Sequence, residues 1–229
     1  MNEFGQKGEQ HYLAIIGDLE RSREDRDRAA TQSRLEAALK TVNREFAKFL
    51  AAQFILTLGD EFQGLIKIPG YSLFLIDSIH RQMEGLPIRY GLGWGGLSTE
   101  LKAEAIGMDG PCFHAAREAV LQAKGADRRI VVKGFGEERD LALNGVFGLM
   151  DGIRRRWKPA QEETVRFMSS EEMRQKDVAQ LRGVSNSVVS ETLKSALYKQ
   201  VAEANMSLWY LMNDFAEVEE SLTSGKVGS

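Results

Sequence analysis

Two Gly-Asp pairs, each placed where an apolar run ends, limit the folds open to this chain more than any other feature. The first is Gly17-Asp18, and the second, Gly59-Asp60, separates two apolar runs. Apolar runs that meet at such a corner are typical of strands joined by a hairpin. Two strands of one sheet that each end in an aspartate can hold their carboxylates close together. Because such a pair repels itself unless a cation lies between the two groups, the pattern predicts a metal site, although Gly-Asp is also ordinary turn chemistry.

The other apolar runs and periodic segments complete an alternating order of strands and helices. Strands are predicted at 12–17, 53–58, 62–68, 87–97 and 129–133. Helices are predicted at 24–50, 71–84 and 111–124, where apolar residues recur every three or four positions. The resulting order, β-α-β-β-α-β-α-β, predicts a ferredoxin-like α/β sandwich in which a hairpin lies inside split βαβ units.

Strand signals stop near residue 140, and the remaining pattern predicts helices only. We therefore expect an α+β protein with an α/β domain at 11–145 and an all-helical region at 146–222. The polar start, 1–10, and the Gly/Ser-rich end, 223–229, are predicted to be disordered.

Composition excludes several classes of protein. The net charge of −3 argues against broad electrostatic adhesion to DNA or to a membrane surface. The single cysteine, Cys112, excludes an internal disulfide and a cysteine-based zinc site. No apolar run approaches the roughly 20 residues of a membrane-spanning helix, and the polar N-terminus is unlike a signal peptide. We expect a cytoplasmic protein without a membrane partner.

Residues 175–193 have the spacing of a helix-turn-helix and resemble that motif in many bacterial repressors. Gly183 allows the tight turn, and Ser185 can cap the second helix. In this motif the second helix enters the major groove of DNA through its N-terminal residues. Here those residues are Asn186, Ser187, Ser190 and Lys194. A purely structural helical hairpin is the alternative.

The last predicted helix carries apolar residues at alternating spacings of four and three. They are Leu197, Val201, Ala204, Leu208, Leu211, Phe215, Val218 and Leu222. A seam of this kind over more than three heptads predicts a coiled-coil homodimer. A long helix lying on its own domain is the alternative.

The N-terminal part resembles the palm-like catalytic core of class III nucleotidyl cyclases and of the related GGDEF diguanylate cyclases. The segment 57–62 resembles the metal-binding hairpin of that family, and 110–117 resembles its Gly…Asn-x-Ala-Ala-Arg helix. The resemblance implies that Asp18 and Asp60 bind Mg²⁺ or Mn²⁺ together with a nucleoside triphosphate. It also implies that Arg117 is a catalytic residue that stabilises the transition state.

The same resemblance implies further nucleotide contacts in the loop after the first strand and at the hairpin. They are Leu19, Glu20, Arg21, Ser22, Arg23 and Gly59. Two departures favour a nucleotide sensor over an efficient cyclase. Phe113 stands where the family has its Asn, and Leu56 stands where the family has the Lys that selects adenine.

Three separated motifs are similar to the SatD family: 17–23, 59–64, and 107–111 with 116–118. The similarity extends over about residues 12–210. We therefore expect a dimeric SatD-family protein in which a cyclase-like sandwich binds nucleotide and Mg²⁺, followed by a helix-turn-helix domain that binds DNA or a protein partner. The alternatives are an active nucleotidyl cyclase whose C-terminal helices serve dimerisation, and a scaffold in which both sites are vestigial.

Overall fold

A computed structural model of the protein describes residues 10–20, 28–57, 59–83, 86–169 and 173–223, and of 214–223 only the backbone. These residues form a mixed α+β structure with one five-stranded sheet and eight α-helices. They divide into two compact units. The first comprises the described residues up to Gly145 and from Leu208 onward, and the second is Val146–Ser207. Apart from Gln10 and Thr223, the predicted disordered ends lie outside the described residues.

The first unit contains every strand of the described residues, in the order that the sequence predicts. The strands are β1 (Tyr12–Leu19), β2 (Leu50–Leu56), β3 (Glu61–Ile66), β4 (Ile88–Gly95) and β5 (Ile130–Lys133). The helices among them are α1 (Arg28–Glu45), α2 (Ser72–Gln82) and α3 (Pro111–Gly125), and a short 3₁₀ turn, Pro69–Tyr71, precedes α2. The helices that follow are α4 (Glu137–Arg154), α5 (Pro159–Ser169), α6 (Gln175–Arg182), α7 (Asn186–Ser195) and α8 (Tyr198–Thr223). None of the described helices is both long and apolar enough to cross a membrane.

The sheet has the order β2-β3-β1-β4-β5, with β1 at its centre. Neighbouring strands are antiparallel except β4 and β5, which are parallel and are connected through α3. Both faces of β1 are covered, so nearly all its residues are buried. This is why its sequence is a continuous apolar run rather than an alternation of apolar and polar residues.

Helix α3 covers one face of the sheet, and α1 covers the other. Tyr12, Ala14 and Ile16 of β1 share a core cluster with residues of α3. Side chains alternate along a strand, so the residues between them, and Leu19 with them, face the opposite side. Leu19 lines a pocket with Leu35 of α1, which places α1 on that second face. Helix α2 packs against α1.

Glycines in β4 allow α3 to lie with its backbone directly on the strand. A Cβ atom on Gly91 would be 2.1 Å from the carbonyl oxygen of Ala116, and one on Gly93 would be 2.1 Å from that of Cys112. No side chain larger than hydrogen fits under the helix at either position. The Gly-x-Gly spacing therefore sets the height of α3 above the sheet.

In the second unit, α5, α6 and α7 surround a small apolar core. Its buried members are Val165, Val178, Ala179, Val189, Leu193 and Ala196. Helix α6 ends at Gly183, which has a left-handed φ of 63°, and Ser185 caps α7 by accepting a hydrogen bond from the N–H of Val188. Arg182, only 11% exposed, donates to Glu163 and to Thr164, so it connects α6 to α5. These contacts with Glu163 and Thr164 accommodate the charge of Arg182, which stands at a position that is usually apolar in the helix-turn-helix motif that this segment resembles.

The segment 208–213 of α8 packs within the first unit. The side-chain oxygen of Asn213 accepts a hydrogen bond of 2.8 Å from the N–H of Gly70, and both groups are buried. Met212 is fully buried, whereas Leu211 is 38% exposed. The buried stripe therefore departs from the predicted heptad seam at Leu211, because this face of α8 fits the turn at Gly70. This segment of α8 therefore packs against the α/β part of the chain and not within the helical region 146–222.

Elsewhere the predicted seam is only partly described. Val201 is buried, but Leu197 precedes α8 and is exposed. The side chains of Phe215, Val218 and Leu222 lie outside the described residues. A coiled-coil dimer through them stays a prediction.

We expect the substitution Gly91→Ala to lower the free energy of unfolding by about 2–3 kcal/mol, because the new methyl group would overlap the backbone of α3. The matched control is Gly145→Ala. Gly145 lies in α4, where an added Cβ atom would meet nothing within 4 Å, and Ala is the better helix former, so that change should stabilise by about 0.5–1 kcal/mol. Thermal and urea unfolding measure both. Equal effects of the two variants would contradict the close contact between α3 and β4.

Candidate functional site

Strand β1 and the hairpin between β2 and β3 bring Asp18 and Asp60 to the same end of the sheet. The N–H of Leu19 donates to the carbonyl oxygen of Asp60 at 3.3 Å, and Asp18 pairs with Glu61 in the antiparallel register. Gly59 has a φ of 71°, which lets the hairpin turn tightly just before Asp60. Asp18 therefore lies in β1, and Asp60 lies in the turn just before β3, diagonally across from it.

The side chains of Asp18 and Asp60 nevertheless lie on different faces of the sheet. Asp18 faces α3, where its Oδ1 lies 2.9 Å from Nζ of Lys124. Asp60 lines the pocket on the α1 side. Because side chains alternate along a strand, the acid that shares a face with Asp18 is Glu61. The structure thus groups Asp18 with Glu61 and places Asp60 around the edge from them.

Arg117, the residue that the cyclase resemblance makes catalytic, lies on α3 and forms an ion pair with Glu61. The hydroxyl of Thr57 also donates to Oε1 of Glu61, at 3.2 Å. Two donors from different elements therefore fix this carboxylate. Neither the sequence patterns nor the cyclase resemblance assign Glu61 a role. The feature that points to Glu61 is the antiparallel register of β1 and β3, which places it opposite Asp18.

Arg89 of β4 is a second residue that the sequence analysis does not single out. Its side chain is 14% exposed and forms ion pairs with Glu20 and with Asp127. It also donates to the carbonyl oxygens of Ala123 and Lys124, at 3.1 and 2.7 Å. A cation at carbonyl groups of the last turn favours the C-terminal end of α3. Arg89 thereby ties the end of α3 to the loop that follows β1.

A small recess with a volume of about 10 Å³, room for about one water molecule, lies beside the hairpin. It is lined by Leu19, Arg28, Thr31, Gln32, Leu35, Gly59 and Asp60. The guanidinium of Arg28 lies close to the turn, since a Cβ atom on Gly59 would be 3.3 Å from it. Two of the predicted nucleotide contacts, Leu19 and Gly59, are therefore part of this pocket. Arg21, Ser22 and Arg23 lie outside the described residues.

Asp18 and Asp60 could each offer a carboxylate oxygen to a cation, but from different faces of the sheet. Within the described ranges there is no group of three or more His, Cys, Asp or Glu side chains placed to hold a metal ion. Mg²⁺ bound to nucleotide phosphates needs only one or two protein carboxylates. Cys112 is buried, and burial raises the pKa of its thiol to about 12, so it is neither a ligand nor a nucleophile.

The predicted DNA contacts share one surface of the second unit. Asn186, Ser187, Ser190 and Lys194 are all exposed along α7. The opposite face of the same helix is buried in the core of this unit through Val189 and Leu193. The four polar residues are therefore available to a partner.

Comparison with known proteins identifies the family of the chain. The model of the SatD family matches residues 12–206. No curated protein matches the chain. The family match includes all five strands and the α6–α7 pair, and it confirms the family resemblance of the three sequence motifs.

We expect Arg89→Met to lower the free energy of unfolding by about 2–4 kcal/mol, because it leaves two helix carbonyls and two carboxylates without their shared donor. Arg81→Met is the control. Arg81 forms an exposed ion pair with Asp77 within α2, and its loss should cost about 0.5 kcal/mol or less. Urea unfolding compares the two. A small effect at both positions would show that Arg89 does not hold the end of α3.

Proposed function

Since the chain belongs to the SatD family, we propose that it is a sensor whose first unit binds a nucleotide with Mg²⁺ or Mn²⁺ and whose second unit binds DNA in response. The observation that carries the proposal is the corner of the sheet where Asp18 and Asp60 lie on neighbouring strands. Three cationic side chains, Arg28, Arg117 and Lys124, surround the same corner.

This combination of charges suits a metal–nucleotide complex. Asp18 lies on the α3 face and Asp60 around the edge of the sheet, so a cation shared by them would lie at that edge, where it would neutralise phosphate charge and orient the nucleotide. The guanidinium groups of Arg28 and Arg117 match phosphate oxygens in shape and charge. Leu19 and Gly59 line only the small recess beside Asp60, so the rest of the ligand would extend over the surface.

The topology supports a cyclase-like origin for this unit. The order β2-β3-β1-β4 has only antiparallel neighbours, and α1 and α2 connect strands that are not adjacent. A ferredoxin-like sandwich of the palm type requires this arrangement of split βαβ units. In that fold, a hairpin acid and a first-strand acid meet at one end of the sheet.

One observation favours sensing over cyclase chemistry. Phe113, at the position of the family's Asn, is buried in the core beneath α3 and offers no hydrogen bond to a ligand. Arg117 is engaged by Glu61 instead of being held toward the pocket. We therefore propose binding as the primary activity of the first unit.

The geometry of α6, its turn and α7 supports DNA as the partner of the second unit. Asn186 is the first residue of α7, and it can make paired hydrogen bonds to adenine in the major groove. Residues 151–210 carry ten basic and eight acidic side chains, so their net charge is only +2. A single copy would gain little phosphate affinity from that charge. Binding of paired half-sites by a homodimer would supply the rest.

The first test is nucleotide binding by the purified protein. Titration calorimetry with ATP, GTP, CTP and UTP in the presence of Mg²⁺ or Mn²⁺ should show binding of at least one. Asp18→Asn and Asp60→Asn should each weaken that affinity about tenfold or more, because each removes an anionic ligand. Glu118→Gln is the control, since Glu118 is an exposed acid of α3 that pairs with Lys133.

Mass spectrometry of the same mixtures tests the cyclase alternative. Intact nucleotide after long incubation agrees with a sensor. A cyclic or linked product that disappears in Asp60→Asn would replace the sensor with an enzyme. Absence of nucleotide binding by the unaltered protein would overturn the proposal for the first unit.

The second test is DNA binding to duplexes selected from a random pool, with and without nucleotide. Lys194→Ala should weaken binding to all DNA sequences, because it removes one phosphate contact. It should also reduce the slope of log affinity against log salt concentration by about one. Asn186→Ala should cost about 1–3 kcal/mol at one base position. Lys48→Ala, an exposed lysine of the first unit, is the control. Failure to select any duplex would contradict DNA as the partner.

A further inference from the structure

We propose that the exposed face of α4 is a homodimer interface, on which α4 of a second copy of this chain packs in the antiparallel orientation. The inference stands on the geometry and the charges of one helix, and it does not depend on the proposed nucleotide or DNA binding. A contact of this kind has the twofold symmetry that paired DNA half-sites require.

Helix α4 has an apolar face that is directed to solvent. The side chains of Leu141 and Leu149 are 77% and 72% exposed, which makes them the two most exposed large apolar residues in the part of the chain that the structure describes. They lie about two turns apart in one continuous helix, so they share a face. The opposite face of α4 is buried through Leu143 and Met150. An amphipathic helix that buries one face has polar residues on the other, and α4 departs from that pattern.

Two glycines lie beside these leucines on the exposed face. Gly145 follows Leu141 by four residues, and Gly152 follows Leu149 by three, so each glycine adjoins a leucine on the helix surface. A Cβ atom added to either glycine would meet no described atom within 4 Å. Helix axes can approach to about 8 Å where the residues in contact are small. Each glycine is therefore a shallow hollow that can receive a side chain from a neighbouring helix.

The pattern along this face is complementary to itself when a second copy of α4 is reversed. In an antiparallel pair, Leu149 of each copy can lie over Gly145 of the other. The same alignment, within one residue, places Leu141 of each copy opposite Gly152 of the other. Every leucine then meets a hollow, which is the match that an isologous interface needs. A parallel pair would set leucine against leucine and glycine against glycine.

The charges at the two ends of α4 fit the antiparallel orientation as well. The first turn is acidic, with Glu137, Glu138 and Asp140, and the last turn contains Arg154. Arg156 follows in the closing turn and is exposed, as is Glu138. The alignment that pairs leucines with glycines also places Glu138 opposite Arg156 of the second copy. A parallel pair would bring like charges together, so charge complementarity identifies a reversed copy of α4 as the occupant of this face.

Sedimentation velocity of the full chain over a range of concentrations, without nucleotide or DNA, measures the association. The unaltered protein should show a monomer–dimer equilibrium. Leu149→Gln should raise the dissociation constant at least tenfold, because the twofold symmetry removes a buried leucine from both halves of the interface. Leu121→Gln is the matched control, since Leu121 is a 58% exposed leucine of α3, and it should leave the dissociation constant unchanged.

Gly145→Leu separates association from folding. Its side chain meets no described atom of its own copy, and leucine is the better helix former, so the free energy of unfolding in dilute solution should not fall. The same side chain fills the hollow that receives Leu149 and should weaken the dimer at least tenfold. Gly145→Ala adds only one methyl group, which permits close helix packing, and should dimerise nearly as well as the unaltered protein.

Disulfide cross-linking tests the orientation of the two helices. The double variant Leu141→Cys/Gly152→Cys should form a covalent dimer on oxidation in air, because the facing Cα atoms lie within about 7 Å in the antiparallel pair. The two positions are about 16 Å apart along one helix, so a disulfide within one copy is impossible. Each single variant should stay monomeric in a denaturing gel, and the native Cys112 is buried.

The outcomes decide for or against this interface. A dimer that Leu149→Gln and Gly145→Leu weaken, and that the double cysteine variant traps, supports it. A monomer at every concentration overturns it, and so does a dimer that both variants leave intact, which would place the contact elsewhere in the chain. Cross-linking of the single cysteine variants would indicate parallel packing and would also overturn it. None of these outcomes decides whether one copy binds a nucleotide.

Discussion

The contact between the backbone of α3 and the glycines of β4 positions the charged side chains of the candidate site. Gly91 and Gly93 bring the helix close enough that an added methyl group would collide with its carbonyl oxygens. At that height, exposed side chains of α3 reach the row of charged residues at the end of the strands. The pairs of Arg117 with Glu61 and of Lys124 with Asp18 both depend on it.

The antiparallel register of the strands then determines which acidic side chains lie side by side on the same face of the sheet. Asp18 stands opposite Glu61 and Arg89, so the α3 face carries a charged row across three strands. Asp60 is one residue away in sequence from Glu61 and on the other side of the sheet's edge. A single step along a strand exchanges one face for the other, and this is why two aspartates that look equivalent in the sequence have different surroundings.

Local sequence patterns made most of the strands and helices predictable. The features that could not be predicted depend on contacts between residues far apart in the chain. Apolar periodicity predicted the five strands and the first three helices, and turn chemistry predicted the bend at Gly183. The role of Arg89 depends on α3 ending beside β4, which no local pattern encodes. The burial of Met212 and Asn213 likewise depends on the turn at Gly70, far away in the chain, which heptad spacing alone does not encode.

The charges of this corner are already paired, since Asp18 and Glu61 each have a cationic partner. A ligand that bound there would have to exchange with these partners. In the proposed function, the metal–nucleotide complex would carry both signs of charge, so its cation would pair with the acids and its phosphates with the cations that it separates. A bare phosphate or a bare cation would satisfy only one half of each broken pair, so charge pairing by itself would favour the combined ligand.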